Sequence, residues 1–203
     1  FFKQKTAYEI KECDWSSDVC SSDLVRFVVG QAPGGGTDLI ARAVTAKLTE
    51  ALGHAMIVDN RTGAAGSVGA GLVAKSAPDG YTLLVVSSSY AINPSLGANL
   101  PFDPMKDLSP VILLAQAPFL LVVHPSLPAS SVKELVALAR AKPGALNFAS
   151  GGTGSSGHLS GELFQHAAGV KLAHVPYKGA GPALTDTIAG QVQMTFASMI
   201  SSL

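Results

Sequence analysis

The sequence has few charged residues, few aromatic residues and only two cysteines. Charged side chains make up 14% of the 203 residues and aromatic ones 6%, and both cysteines lie within the first 24 residues. Lys plus Arg and Asp plus Glu number 14 each, so no basic field favours nucleic acid as a partner. No apolar run without polar breaks reaches the roughly 18 residues of a membrane-spanning helix. Beyond residue 24 the absence of cysteine excludes disulfides and zinc–thiolate sites.

Residues 1–24 differ in composition from the rest of the chain. They resemble the conceptual translation of a short-read sequencing adapter, and they hold the only tryptophan and five of the fourteen acidic residues. We interpret residues 1–24 as an artefactual, disordered segment rather than a genuine polar extension, and we exclude them from fold reasoning. They occupy the place where a signal peptide would lie, so none is visible. We expect the chain to be truncated at both ends.

Glycine is abundant, with 21 residues, and it clusters directly after predicted strands. Residues 25–52 contain an apolar strand, the triplet Gly34–Gly36 and a helix with apolar residues at i, i+4 spacing. These apolar residues are Ile40, Val44, Leu48 and Leu52. The first turn of a helix has unpaired N–H groups and a partial positive charge, so bare backbone there favours an anion. The alternative is a tight strand-to-helix turn that binds nothing.

The same organisation returns in residues 146–168, where a strand, the loop Ser150–Gly157 and a helix follow one another. Two such loops, one in each half of the chain, predict two lobes that bind a small carboxylate through neutral donors and water. Serines follow two further predicted strands, at Ser87–Ser89 and at Ser198, and offer hydroxyl contacts. The alternative is that these hydroxyls bond to their own backbone.

Two local patterns locate elements between the loops. Ser131 and, three residues later, Glu134 form a capping box, which predicts the start of a helix. Val111–Ala115 and Phe119–Val123 are predicted strands separated by Pro118, and proline does not sit mid-strand in the centre of a sheet. We therefore predict the domain boundary at this proline.

Catalytic and metal-binding patterns are scarce. None of the five histidines is spaced with a second histidine or a carboxylate as metal ligands on one helix face would be, so we predict neither metal nor cofactor. His158 lies beside the second loop, and packing in the first helical turn is favoured over ligand contact. Gly152–Gly157 fits the dinucleotide pattern G-x-G-x-x-G, but the next strand is not followed by the acid that binds ribose. A nucleotide-dependent enzyme using this loop is kept as an alternative.

From Val25 onward the chain resembles the substrate-binding proteins of tripartite tricarboxylate transporters, the Bug family. The matching motifs are VRFVVGQAPGGGTDLIAR, VDNRTGAAGSVGA, APDGYTLL, LPFDPMKDLSPV, LNFASGGTGSSGHLSGELF, HVPYKGAGPALTD and GQVQMTFAS. Each motif is modest alone, but together and in this order they are specific.

The resemblance implies an α/β fold, the type II periplasmic binding protein, with two α/β domains and a ligand cleft between them. Domain 1 would span 25–117, incomplete without its C-terminal return segment, and domain 2 would span 118–203. The expected protein is periplasmic, monomeric and not an enzyme. It would capture a di- or tricarboxylate, an amino acid or an aromatic acid, and deliver it to membrane permease subunits. The effector-sensing domain of a transcription regulator is a further alternative with this topology.

The resemblance also implies that the two glycine loops hold the ligand carboxylate, partly through ordered water and without an obligatory arginine. Asp38 is expected to interact with the helix dipole rather than with the anion. Two departures from the family pattern are Gln31 at an aromatic position and Ser198 where an acid or amide is common. The expected ligand-binding residues are Ala32, Pro33, Gly34, Gly35, Gly36, Thr37, Asp38, Ser88, Ser89, Ser150, Gly151, Gly152, Thr153, Gly154, Ser155, Ser156 and Ser198.

Overall fold

The computed structural model describes residues 2–4, 24–97 and 99–202, which divide into two compact units. Unit 1 comprises Phe1–Gly30 and Thr37–Gln116, and unit 2 comprises Gln31–Gly36 and Ala117–Leu203. The division after Gln116 lies one residue before the predicted boundary. The hexapeptide Gln31–Gly36, predicted as part of domain 1, belongs to unit 2 instead.

Unit 1 contains a five-stranded sheet in the order β3-β2-β4-β1-β5. Strand β2 is parallel to β3 and β4, while β1 is antiparallel to β4 and β5. Parallel neighbours require crossover connections, and helices supply them here. The strands are β1 Phe2–Gln4, β2 Val25–Val29, β3 Met56–Asn60, β4 Thr82–Val85 and β5 Leu108–Pro110. The helices are α1 Gly36–Leu52, whose first residue lies in unit 2, α2 Ser67–Ala74 and α3 Ser89–Ile92, with 3-10 turns at Ala64–Gly66 and Asn93–Leu96.

Strand β2 is buried on both faces of this sheet. Val28 packs with Val73 of α2, whereas Phe27 and Val29 pack with Ala41 of α1. Successive side chains of a strand point to opposite faces, so an uninterrupted apolar run is expected where helices cover both faces. The apolar run that predicts this strand therefore reflects its central position.

The buried face of α1 is shifted by one residue from the predicted face. Ala41 is fully buried and Thr45 is 5% exposed, whereas Leu52, which belongs to the predicted apolar face, is 58% exposed. Small side chains allow a helix to lie close to the sheet, so the closest contacts fall on Ala41 and Thr45.

Unit 2 contains a four-stranded sheet in the order β6-β9-β7-β8, in which β7 is parallel to β8 and β9 and β6 is antiparallel to β9. Its core combines Phe148 and Met194 of the sheet with Leu135 and Ala139 of a covering helix. The strands are β6 Phe119–Val123, β7 Asn147–Ser150, β8 Ala173–Pro176 and β9 Met194–Ser198. The helices are α4 Val132–Ala141, α5 Ser156–Ala168, α6 Ala180–Ile188 and α7 Met199–Ser202.

Two predictions on the sequence outside the loops differ from the structure. Phe2–Gln4 forms β1, although residues 1–24 were predicted to be disordered. The remaining part of that prediction, at residues 1 and 5–23, lies outside the described residues. The strand predicted at Val111–Ala115 is wrong, because β5 ends at Pro110 and Leu113 is 70% exposed. Within the described ranges, no helix combines the length and apolar character needed to cross a membrane.

Candidate ligand-binding site

Three strands of unit 2 end at the same edge of its sheet. Strand β7 ends at Ser150, β8 at Pro176 and β9 at Ser198, and these strands are mutually parallel. Each is followed by a connection that opens a helix, namely α5, α6 and α7. Ligands of open α/β sheets bind outside the carboxyl ends of the strands, and this edge carries two of the predicted contacts.

The second glycine loop is held by hydrogen bonds to its own serines. The Gly152 amide donates to Ser150 Oγ at 3.1 Å, and the His158 amide donates to Ser155 Oγ at 3.3 Å, which caps α5. Gly152 and Gly154 have φ angles of 117° and 80°, which side chains rarely adopt. The glycines of this loop are therefore required by backbone conformation, and its serines stabilise the turn.

Two amides of this loop remain available to a ligand. Those of Gly151 and Thr153 make no hydrogen bond to any residue that the structure describes. Thr153 is exposed and Gly151 is half-buried. Backbone N–H groups beside the first turn of α5 are suitable donors to a carboxylate.

The first glycine loop packs on the turn that joins β8 to α6. A methyl group at Gly179 would overlap Ala32, and one at Gly181 would lie 2.7 Å from the carbonyl oxygen of Pro33. A methyl group at Gly36 would overlap Ser198 Oγ at the end of β9. These contacts are close enough to require glycine. They also locate the hexapeptide Gln31–Gly36 at the same sheet edge as the second loop.

The turn Gly179–Gly181 was missed as part of the site by sequence reasoning. A methyl group at Gly151 of the second loop would lie 3.1 Å from the Ala180 amide nitrogen, so the turn contacts both glycine loops. The available signal was a third glycine-rich strand-to-helix connection. Sequence alone predicts the start of a helix there, but not that this connection lies between the other two.

Asp38 and Thr37 belong to unit 1, at the start of α1. Asp38 is 1% exposed and accepts hydrogen bonds from Arg42 Nε and from Asn60 Nδ2, each at 2.9 Å. Its hydrogen bond and its charge raise the pKa of the Arg42 guanidinium. The carboxylate therefore ties α1 to the end of β3.

Ser88 and Ser89 also lie in unit 1, after β4. Ser88 is exposed, whereas Ser89 is 2% exposed and its hydroxyl donates to the carbonyl oxygen of Ala65 at 3.0 Å. Ala64 and Ala65 have φ angles of 44° and 52°, an uncommon conformation for residues other than glycine. Ser89 thus stabilises a strained turn that is 24 residues away in sequence, rather than bonding to its own local backbone as the alternative to ligand contact had it.

Two histidines contact the second glycine loop. The His158 and His174 ring centroids are 4.1 Å apart, and both rings stack on Phe148. His158 Nδ1 accepts from the Gly154 amide at 3.2 Å, and His174 Nε2 lies 2.6 Å from Ser150 Oγ. Burial, followed by the charge of His158, lowers the pKa of His174. His158 was predicted to pack in the first helical turn, and the structure adds a hydrogen bond from the loop to its ring. The sequence analysis assigned no role to His174.

The expectation that no histidine shares a helix face with a carboxylate is wrong. His158 Nε2 lies 3.6 Å from Glu162 Oε1, one turn further along α5. Across the described ranges, however, no group of three or more His, Cys, Asp or Glu side chains is arranged to hold a metal ion.

Sequence comparison supplies the deciding observation. The family described as "Tripartite tricarboxylate transporter family receptor" matches residues 40–203. The chain belongs to this receptor family. Receptors of this family are solute-binding proteins rather than enzymes, in agreement with the prediction.

Three relatives of this receptor illustrate the family. BugT from Bordetella pertussis is 40% identical over 186 residues, covering 91% of this chain and 57% of BugT. A structure described as R. palustris Rpa4515 with adipate has a TM-score of 0.86 and 39% identity, covering 93% of this chain and 62% of that one. MatC from Rhodopseudomonas palustris with bound malate has a TM-score of 0.82 and 34% identity, covering 88% and 61%. The predicted periplasmic-binding-protein fold is confirmed, and the chain spans less than two thirds of these relatives.

The predicted site residues of this receptor fall into two groups. Unit 2 brings Ala32–Gly36, Ser150–Ser156 and Ser198 to one sheet edge. Unit 1 contains Thr37, Asp38, Ser88 and Ser89. Contact between any of these residues and a ligand stays a prediction.

Proposed function

We propose that this chain is the solute-binding part of a periplasmic receptor that captures a small dicarboxylate and delivers it to the permease subunits of a tripartite tricarboxylate transporter. Family membership supports the receptor role. Two similar structures are described with adipate and with malate, which are both dicarboxylates. The ligand class of those proteins is the basis for the class proposed here.

The observation that carries the proposal is the second glycine loop at the start of α5. Its Gly151 and Thr153 amides are available as donors at a helix N-terminus, where the partial positive charge favours a carboxylate. No basic side chain lies in Ser150–Ser156, so affinity would come from backbone donors and bound water.

The same edge of unit 2 favours a dicarboxylate over an amino acid. An ammonium group needs a carboxylate or several acceptors, yet β9 ends in the neutral Ser198. Asp186 of α6 already accepts a hydrogen bond from the Tyr177 hydroxyl at 2.7 Å. An amino-acid ligand would therefore lack an evident partner for its charge among these residues.

The test is thermal unfolding with adipate, malate, citrate, aspartate, benzoate and NAD. A ligand at about a hundred times its Kd adds roughly 2.7 kcal/mol to the free energy of unfolding. Adipate or malate is expected to raise the melting temperature. A shift with NAD alone would instead support the nucleotide-dependent alternative.

A pair of matched variants connects the shift to the loop. Gly152 and Gly144 both lie in unit 2 with positive φ, at 117° and 76°, but a methyl group at Gly144 meets nothing within 4 Å. Gly152→Ala and Gly144→Ala should each cost about 1–2 kcal/mol of backbone strain. Only Gly152→Ala should remove the ligand-induced shift, and equal shifts in both variants would exclude this loop as the binding site.

A further inference from the structure

The second glycine loop is attached at both ends to the histidine pair. At its start, Ser150 Oγ lies 2.6 Å from His174 Nε2 and accepts from the Gly152 amide, while the hydroxyl donates to the Gly152 carbonyl oxygen at 3.2 Å. His174 Nε2–H is therefore the donor to Ser150 Oγ, whether the ring is neutral or protonated. Near its end, the Gly154 amide donates to His158 Nδ1 at 3.2 Å. The conformation of this loop therefore depends on two imidazole rings that do not themselves belong to it.

The bond at Gly154 requires a neutral His158. An amide N–H donates only to a ring nitrogen with a free lone pair, and a protonated imidazole has none because both nitrogens carry hydrogen. Protonation of His158 would turn this hydrogen bond into two N–H groups facing each other. The neutral ring then carries its hydrogen on Nε2, which points towards Glu162 Oε1 at 3.6 Å.

His174 limits the charge that the pair can carry. Its ring lies 4.1 Å from that of His158, so two positive charges would repel each other strongly at this distance. Both rings also stack on the fully buried Phe148. A charge on one ring therefore disfavours protonation of the other.

Few other charges act on the pair. Glu162 of α5 is the acidic group near it, and its charge favours the protonated form of His174. Strands β7 and β9 have no titratable side chain, and β8 has only His174. On α6 the titratable side chain is Asp186, which is bonded to Tyr177. The balance therefore lies between burial and mutual repulsion on one side and a single half-exposed carboxylate on the other.

We propose that His158 and His174 are positioning residues of the ligand-binding loop, and that protonation of His158 releases Ser150–Ser156 and weakens carboxylate binding. Neutral His158 accepts from the Gly154 amide and His174 contacts the Ser150 hydroxyl, while the Gly151 and Thr153 amides have no partner among the described residues. The statement about binding rests on the proposed function. The statement about the loop does not.

The first experiment measures the loop without a ligand. Hydrogen-exchange protection of the Gly152 and Gly154 amides is followed by NMR from about pH 8 to pH 5, corrected for intrinsic exchange, together with the histidine ring resonances. Protection of Gly154 is expected to fall about fivefold when His158 is protonated, which corresponds to the loss of one hydrogen bond. Constant protection while the rings titrate would overturn the proposal, and no variant is needed for that result.

Variants separate positioning from packing. His158→Asn keeps an acceptor near the Nδ1 position, and His174→Gln keeps a polar atom near Nε2, but neither side chain titrates. His166, exposed in the last turn of the same helix, provides the control His166→Gln. Gly154 protection should stay constant with pH in His158→Asn and should follow the native profile in His166→Gln. A native profile in His158→Asn would overturn the assignment.

Calorimetry with adipate and with malate at the same pH values tests the second part. Binding should weaken about fivefold from pH 8 to pH 5 in the native chain and stay constant in His158→Asn. If neither compound binds at pH 8, the proposed function fails, while the amide data still decide the role of the pair in the loop. If the loop responds but affinity does not change with pH, the link to binding is overturned and the proposed function stands.

Discussion

The Tyr90 side chain couples a hydroxyl group to the packing of unit 1. The hydroxyl donates to the carbonyl oxygen of Pro104 at 2.7 Å, and the ring stacks with Phe102. Burial is the main reason why the pKa of Tyr90 rises to about 12, and the charges of Asp103 and Asp107 add to the effect. The folded state therefore favours the neutral phenol.

Tyr90→Phe is predicted to lower the free energy of unfolding by about 1 kcal/mol at neutral pH, because one hydrogen bond is lost. In the native chain the preference for the neutral phenol stabilises the fold below a pH of about 10, and this contribution is lost as the pH rises towards 12. The variant should lack this alkaline loss. Urea unfolding between neutral and alkaline pH measures both effects.

Tyr81→Phe is the control for this prediction, since the Tyr81 hydroxyl has no hydrogen-bond partner among the described residues. It should leave the neutral stability within about 0.5 kcal/mol of the native value. An alkaline loss that persists unchanged in Tyr90→Phe would show that another group is responsible.

At the scale of single elements, the start of α4 depends on one hydroxyl. Ser131 Oγ accepts from the Glu134 amide at 3.2 Å, while Glu134 Oε2 accepts from the Ser130 amide at 2.7 Å. The predicted capping box is confirmed, except that the Glu134 carboxylate accepts from the Ser130 amide rather than from the amide of the N-cap residue Ser131. Ser131→Ala should lower the free energy of unfolding by about 1 kcal/mol in urea denaturation. Ser130→Ala, which removes no capping hydroxyl, should have little effect, and equal losses would contradict the cap.

The contact between α5 and β7 depends on the absence of a side chain. A methyl group at Gly161 would overlap the ring of Phe148, which is fully buried. Gly161→Ala would gain about 1 kcal/mol in helix propensity, but the clash in a packed core should outweigh it and lower the stability by about 1–3 kcal/mol. Urea unfolding against Ser160→Ala, on the same helix, checks the sign. A stabilised Gly161→Ala would show that the ring moves away freely.

Sequence reasoning located most of these elements but not all of their faces. Apolar runs and glycine loops predict β2, β7 and the helices that follow them, because a central parallel strand needs apolar residues on both sides. The periodicity of large residues misplaced the buried face of α1, where the small side chains of Ala41 and Thr45 lie against the sheet. A pattern of large apolar residues does not show where a helix lies closest to a sheet, because small side chains occupy the positions of closest approach.

The candidate site was predicted by residue type and only partly by role. Serines after strands were expected to offer hydroxyls, yet Ser89 and Ser155 bond to nearby backbone, a choice that depends on loop conformation. The pairing of His158 with His174 joins α5 to β8, and no local pattern reports such a contact. A local sequence pattern predicts single helices and strands but does not report which side chains of different elements contact each other.

At the scale of the molecule, each unit contains a side chain with a shifted pKa. Tyr90 belongs to unit 1 and His174 to unit 2. Burial lowers the pKa of His174 below the 6.5 of an ordinary histidine, so the unfolded chain binds this proton more readily. Its contribution to stability is complete above a pH of about 6.5 and is lost as the pH falls through the lower pKa of the folded state.

Acid is therefore predicted to open unit 2 before unit 1. Exchange protection of the Phe148 amide should fall as the pH drops below about 6.5, while that of the Val28 amide changes less. His174→Gln should reduce the acid response of Phe148, and His166→Gln should not. Equal acid responses in both units would contradict the prediction, because His174 belongs to unit 2 alone.

The membership of Gln31–Gly36 in unit 2 has a consequence for dividing the gene. The polypeptide passes from unit 1 to unit 2 at residue 31, returns at residue 37 and passes over again at residue 117. A gene fragment starting at codon 117 would encode every strand of unit 2, yet Gly179 and Gly181 would face water where Ala32 and Pro33 now pack. We expect such a fragment to regain these contacts when the hexapeptide is added in trans or grafted through a linker. The hexapeptide is therefore a suitable small part for a split-protein reporter.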